Sequence, residues 1–290
     1  MINNLIYTGI DSERVIEIEK KFKQDILQEA AVNRSMIMVN HETDKNQSVM
    51  HLIPVTESSV TTLEEVYKMV NRSYPQVHIS LFRVPISDEQ APLASSIDEL
   101  LKISFRNYHD QFVFNCQIGR GRTTTGMVIC SMALSFKRGE WHRLMSRIAK
   151  SENEMEKSKS LVASETAQDR LLRGFYPSVM KIVSISENGA RAKQKLDYII
   201  DLSSDMQNIR EVIYQYHSFA QKEEISRKKK EESLHRATHF LHRYCVLLIL
   251  AEYFEEHLPD ENNPVFSQWL EEHKDYTEIL KNIRLEFCLF

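Results

Sequence analysis

Glycine and proline are scarce in this chain. There are seven of each among 290 residues, where about 35 together would be usual, so collagen-like and linker-rich architectures are excluded and many helices are expected. Cysteine is fewer still, with four residues. Cys116, Cys130, Cys245 and Cys288 are scattered and form no Cys-x-x-Cys pair, which argues against a disulfide framework and a structural zinc site. An excess of positive charge is also missing: the net charge is −4, so nothing advertises nucleic acid as a partner. The longest apolar run, Tyr244 to Ala251, falls far short of the ~20 residues that span a bilayer. The first residues, Met1 to Leu5, lack the basic and apolar regions of a secretory signal. These absences lead to an expectation of a cytoplasmic protein with free thiols and no transmembrane segment.

What is present is enough for a sizeable core, with 42% hydrophobic and 27% charged residues. Val15, Ile18, Phe22 and Ile26 repeat at helical spacing behind Asp11 or Ser12. Ser35 to Val39 is a candidate strand, and the polar residues 40–50 read as a loop. Thr62 and Glu65 have capping-box spacing. Val77, Ile79, Leu81 and Val84 predict a strand, and Pro85 and Pro92 bracket a loop. Ser96 with Glu99 predicts a helix over about 97–107. Gln111 to Cys116 reads as a short apolar strand, followed by a Gly-rich turn and a helix over about 123–136. The alternation predicts an α/β part over 1–150 with a largely parallel sheet. Residues 150–170 read as a polar connection. A mainly helical part over 151–290 follows, with helical spacing from Lys193 to Tyr216 and again from Leu234, expected to pack on the α/β part as one domain.

Three of the seven glycines, Gly119, Gly121 and Gly126, fall within eight residues. They sit in Cys116-Gln117-Ile118-Gly119-Arg120-Gly121-Arg122-Thr123, between a strand and a helix. Glycines let successive backbone N–H groups converge on an anion, and the start of a helix adds positive potential at the same point. Arg122 can fork two donors onto phosphate oxygens. Such a setting also favours the thiolate of Cys116. The spacing is not that of a nucleotide P-loop, since no Gly-Lys-Ser/Thr follows. Asp88, on the Pro-bracketed loop, is the best candidate proton donor, with Glu89 as its competitor.

The Cys-x5-Arg-Thr signature resembles the cysteine-dependent phosphatases, which include tyrosine, dual-specificity and inositol-phosphate phosphatases. The longer run Phe114 to Val128, together with Arg83 to Pro92, Gly174-Phe175-Tyr176 and Met206 to Glu211, resembles the paladin family and, in the loop of Asp88, the tyrosine-phosphatase-like phytases. The resemblance implies a tyrosine-phosphatase-like, parallel-rich central sheet flanked by helices with a helical C-terminal layer. It implies Cys116 as nucleophile, Arg122 as phosphate ligand, Asp88 as general acid and Thr123 as donor to the sulfur, with Gln117, Ile118, Gly119, Arg120 and Gly121 lining the phosphate. It implies phosphate monoester hydrolysis through a cysteinyl-phosphate, with neither metal nor cofactor. Arg120 leans the substrate toward inositol phosphates or phosphoinositides. Partners would be a phosphorylated small molecule, a lipid headgroup or a phosphoprotein. Asn115 stands where most of the superfamily has His, which leaves a weakly active or inactive phosphate-binding scaffold as an alternative, and a protein tyrosine phosphatase as another.

Elsewhere, His235, His239 and His242 have metal-like spacing but no acidic residue among them, and read as a polar helix face. Arg227 to Lys230 reads as a solvated helix, with peripheral contact to an anionic membrane as the minority reading. Cys130 and Cys245 read as core residues.

Overall fold

The computed structural model describes residues 11–43, 47–88, 90–156, 166–259 and 262–283; for 151–156 only the backbone is described. Glu89 and Cys288 lie outside the described residues. The chain is mostly helical, with a small two-stranded sheet. The described residues form two compact units, 11–85 and 86–283.

In the smaller unit, helix α1 (Ser12–Val32) starts where the Asp11 carboxylate accepts the Arg14 N–H at 2.8 Å. Strands β1 (Met36–Glu42) and β2 (Ser48–Pro54) pair antiparallel, Met36 opposite Pro54 and Glu42 opposite Ser48. Residues 40–42 and 48–50 are therefore strand rather than loop. The polar segment gave no sign of it because the hairpin is largely exposed, so its pairing needs no apolar alternation. Helix α2 (Leu63–Ser73) carries the expected capping box: Thr62 Oγ1 accepts the Glu65 N–H at 3.3 Å, and the Glu65 carboxylate accepts the Thr62 N–H at 2.8 Å. Lys23 reaches across from α1 to the same carboxylate at 2.8 Å.

Among the described residues the hairpin is the one paired sheet. Segments 77–83 and 111–116 carry no ladder hydrogen bonds. Apolar alternation supplies a face to bury; only a neighbouring backbone makes a strand.

The larger unit begins with α3 (Ala94–Arg106) and α4 (Gly121–Lys137), which pack together. Helix α3 starts three residues before the expected site: Ser96 lies inside it and is buried, and Leu93 is a cap without a side-chain hydrogen bond. After a 3-10 turn at Trp141–Arg143, α5 (Leu144–Glu156) runs into the first third of the segment read as a connection. Then follow α6 (Ala167–Leu172), α7 (Pro177–Val183), α8 (Gly189–Leu202), α9 (Ile209–Ala220), α10 (Arg227–Glu256), α11 (Phe266–Glu272) and α12 (Lys274–Asn282).

The helical pattern from Lys193 to Tyr216 breaks at 203–208, where the Asn208 side chain caps α9 by accepting the Arg210 N–H at 3.1 Å. Helix α10 is the axis of the unit. From Phe240 to Phe254 it is buried on nearly every side, as expected for a helix apolar all round, and α4, α7, α8, α9, α11 and α12 contact it. Phe254 is wedged between Phe136 and Trp141, with ring centroids at 4.6 and 5.7 Å. Two polar links cross this core: Tyr244 Oη donates to Asp197 at 2.6 Å, and Lys195 pairs with Glu255.

Candidate functional site

The Cys-loop lies wholly in the larger unit and ends at the N-terminus of α4. Gly119 has φ +79°, a left-handed conformation that side chains rarely tolerate. That conformation turns its N–H back onto the Cys116 sulfur at 3.2 Å. The first turn of α4 is fixed by two threonines: Thr124 Oγ1 donates to the Arg120 carbonyl at 2.9 Å and Thr125 Oγ1 to the Gly121 carbonyl at 2.7 Å. Phe114, two residues ahead of Cys116, packs against Gly126, where a Cβ would come within 3.0 Å of its ring. Glycine at that position lets the segment bearing the cysteine press against the helix.

Cys116 is partly buried, which by itself would raise its thiol pKa. The Thr123 hydroxyl and the backbone N–H groups of Thr123, Ile118 and Gly119 outweigh that burial and bring it from 9.0 down to about 7. The Thr123 Oγ1 atom is buried and has no partner of full hydrogen-bond geometry; its closeness to the sulfur is electrostatic in effect. Burial prevails at Cys130, whose thiol is pushed up to about 11 despite a 3.1 Å hydrogen bond from Ser104. Cys245 is fully buried.

Arg122 projects from the second residue of α4. Its Nη2 lies 3.3 Å from Asp88 Oδ2, while its Nε is buried without a hydrogen-bond partner. The fold therefore brings together Asp88 and Arg122, 34 positions apart in the chain. One guanidinium N–H is committed to the carboxylate, and a second donor on the same fork is unspent. Gln117, Ile118 and Arg120 are exposed. Asn115 is exposed as well rather than tucked beneath the loop. An arrangement of inward N–H groups, a helix N-terminus and a guanidinium can hold a dianion over an ionised sulfur.

Three residues that sequence reasoning missed stand close to this loop. A Cβ at Gly119 would lie 4.0 Å from Met206 Cε, and one at Gly121 would lie 3.1 Å from Arg243 Nη1 and 3.4 Å from Gln207 Oε1. Met206 and Gln207 come from the break between α8 and α9, Arg243 from α10. Met206 and Gln207 lie in the stretch Met206 to Glu211 noted for its resemblance but not for the site, and Arg243 is a charged residue at the head of the longest apolar run.

The histidines of α10 do not form a metal centre. His235 and His239 place ring nitrogens 2.9 Å apart on an exposed face, and among the described residues no group of three or more metal-ligating side chains occurs. Arg227 to Lys229 are exposed at the start of α10, with Arg227 paired to Glu231 at 2.8 Å. Among the described residues no helix is long and apolar enough to cross a membrane.

Comparison with known proteins finds likenesses over most of the chain. Residues 1–134 match the model of the tyrosine-phosphatase-like phytase family, described by inositol hexakisphosphate. Paladin of Homo sapiens is 27% identical over 221 residues, covering 73% of this chain and 24% of its own length. Paladin of Gallus gallus is 26% identical over 269 residues, covering 90% of this chain and 28% of its own. Paladin of Danio rerio is 23% identical over 279 residues, covering 90% and 30%. The chain thus spans under a third of the length of these relatives. No solved structure matches it. The chain that carries the Cys-x5-Arg loop and the loop of Asp88 is thus similar to paladin over most of its length and to the tyrosine-phosphatase-like phytases over residues 1–134.

Proposed function

We propose that the chain is a cysteine-dependent phosphatase acting on phosphate monoesters, with inositol phosphates or phosphoinositides as the favoured substrates. The observation that carries this reading is the Cys116 thiol, drawn down to about 7 at a loop that also presents an unspent Arg122 donor. In this reading a phosphate dianion takes up the guanidinium of Arg122 and the N–H groups of Gln117 to Gly121, and competes with Asp88 for the fork. The Cys116 thiolate attacks phosphorus, the sulfur–phosphorus bond forms, and the bond to the leaving oxygen breaks. Asp88 supplies the proton that this oxygen takes. Water then attacks the cysteinyl-phosphate, giving its proton to the Asp88 carboxylate. The returning thiolate is held by Thr123 and the loop amides. A substrate with several phosphates would gain from Arg120, exposed at the rim.

In the same reading, the parts 1–150 and 151–290 work as one domain, and the setting is cytoplasmic. The alternative of a silent phosphate-binding scaffold draws on the exposed Asn115 and on the Asp88–Arg122 pair, which ties the acid to the anion ligand. Incubation with a small aryl phosphate and with inositol polyphosphates separates the two. Phosphate release that vanishes in Cys116→Ser while vanadate binding persists supports the enzyme. Tight binding without release supports the scaffold, and release undiminished in Cys116→Ser overturns the assignment.

A further inference from the structure

The loop that bears Asp88 is held from an unexpected quarter. Arg243, 153 positions from it in sequence, sends Nε and Nη2 onto the carbonyl oxygen of Gln90 at 2.9 and 2.8 Å. Its third nitrogen, Nη1, lies against Gly121, the first residue of α4. The guanidinium rests over the Phe240 ring, 5.1 Å from its centroid, and the side chain is fully buried in α10. A fork with two donors on one acceptor fixes direction as well as distance. The stretch of α10 that carries it, Phe240 to Phe254, is buried on nearly every side, so the fork has a rigid origin.

We infer that Arg243 is a positioning residue that clamps the Asp88 loop to the N-terminus of α4, setting the distance between the acid and the Cys-loop. The inference rests on Asp88 acting as proton donor, as proposed above. A general acid contributes about 10²–10⁴-fold, and it counts most when the leaving oxygen is basic. Loosening its loop should therefore cost little with a good leaving group and much with a poor one.

The test compares wild type, Arg243→Gln and Asp88→Asn on p-nitrophenyl phosphate and on an inositol phosphate, with hydrogen exchange of amides 86–88 and 90–91 followed in parallel. The expected result for Arg243→Gln is a loss of kcat of about 10–100-fold on the inositol phosphate and under about 3-fold on the aryl phosphate. Loop exchange should quicken while the melting temperature still reports a folded protein. The double variant should lose little beyond Asp88→Asn alone. Arg243→Lys keeps the charge and most of the stem and can make only one of the two bonds, so it should fall between. It also serves as the second variant if Arg243→Gln does not fold. Equal losses on both substrates, or unchanged loop exchange in a folded variant, would overturn the inference. If wild type hydrolyses neither substrate, the phosphatase reading fails, whereas loop exchange still decides whether the clamp exists.

Discussion

The chemistry of the site depends on two cysteines being treated differently. Cys116 is drawn to about 7 by donors aimed at its sulfur, and Cys130 is pushed to about 11 by burial. Because the thiolate is the reactive form, alkylation of native protein by iodoacetamide, compared at Cys116, Cys130 and Cys245, should be confined to Cys116. Its rate should rise with pH to a midpoint near 7 and fall about tenfold per unit below it. Thr123→Ala removes one donor, so the midpoint should move upward, toward the ~8.5 of a free thiol. A midpoint that stays near 7 would mean that the backbone amides suffice. Sequence alone showed Cys116, Gly119, Arg122 and Thr123, since they act on one another across seven residues. The pairing of Asp88 with Arg122 was only inferable. Arg243 and Gln207 were invisible as neighbours of Gly121, since nothing local in the chain encodes a contact spanning more than eighty positions.

At the scale of elements, capping chemistry settled some boundaries and tertiary burial settled others. Thr62 with Glu65 starts α2 where the local pattern says it must. Ser96 with Glu99 has the same spacing, yet α3 begins earlier and buries Ser96. The junction of α7 and α8 makes a stricter demand. A Cβ on Gly189 would stand 2.1 Å from the Val183 carbonyl oxygen, and backbone cannot swing aside as a side chain can. Gly189→Ala should therefore cost about 3 kcal/mol or more. Gly139 has open space around it and a φ of +69°, so Gly139→Ala should cost only about 1 kcal/mol, for its left-handed backbone. Urea midpoints of the two variants decide this, and equal costs would refute the packing argument.

For the molecule as a whole, stability should carry the mark of one buried acid. Glu252 on α10 is fully buried, with Oε2 accepting from Ser186 Oγ at 2.6 Å and Oε1 unpartnered. Burial raises it from 4.5 to about 7; the Ser186 hydrogen bond opposes this, while the nearby Glu256 and Glu255 reinforce it. Between pH 4.5 and 7 the folded protein thus holds a proton that the unfolded chain has released. The sign follows: this group's contribution is present in full below 4.5 and is lost as pH rises to about 7, up to about 3 kcal/mol in all. Denaturant unfolding at pH 5 and pH 8 should show Glu252→Gln gaining on wild type as pH rises. A constant difference between the two would show that Glu252 is ionised throughout.

The chain by itself determined what is short-range: a helix-rich composition, the capped α2, and a loop in which Gly119 and Thr123 act on the Cys116 sulfur. Those features follow from backbone freedom and hydrogen-bond reach over a few residues. Tertiary structure alone decided that 77–83 and 111–116 run without strand partners among the described residues, that the pattern after Lys193 breaks into two helices, and that a buried arginine of α10 meets the loop of Asp88. Each of these outcomes depends on which distant surfaces meet, and burial and long-range hydrogen bonds have no signature in local spacing.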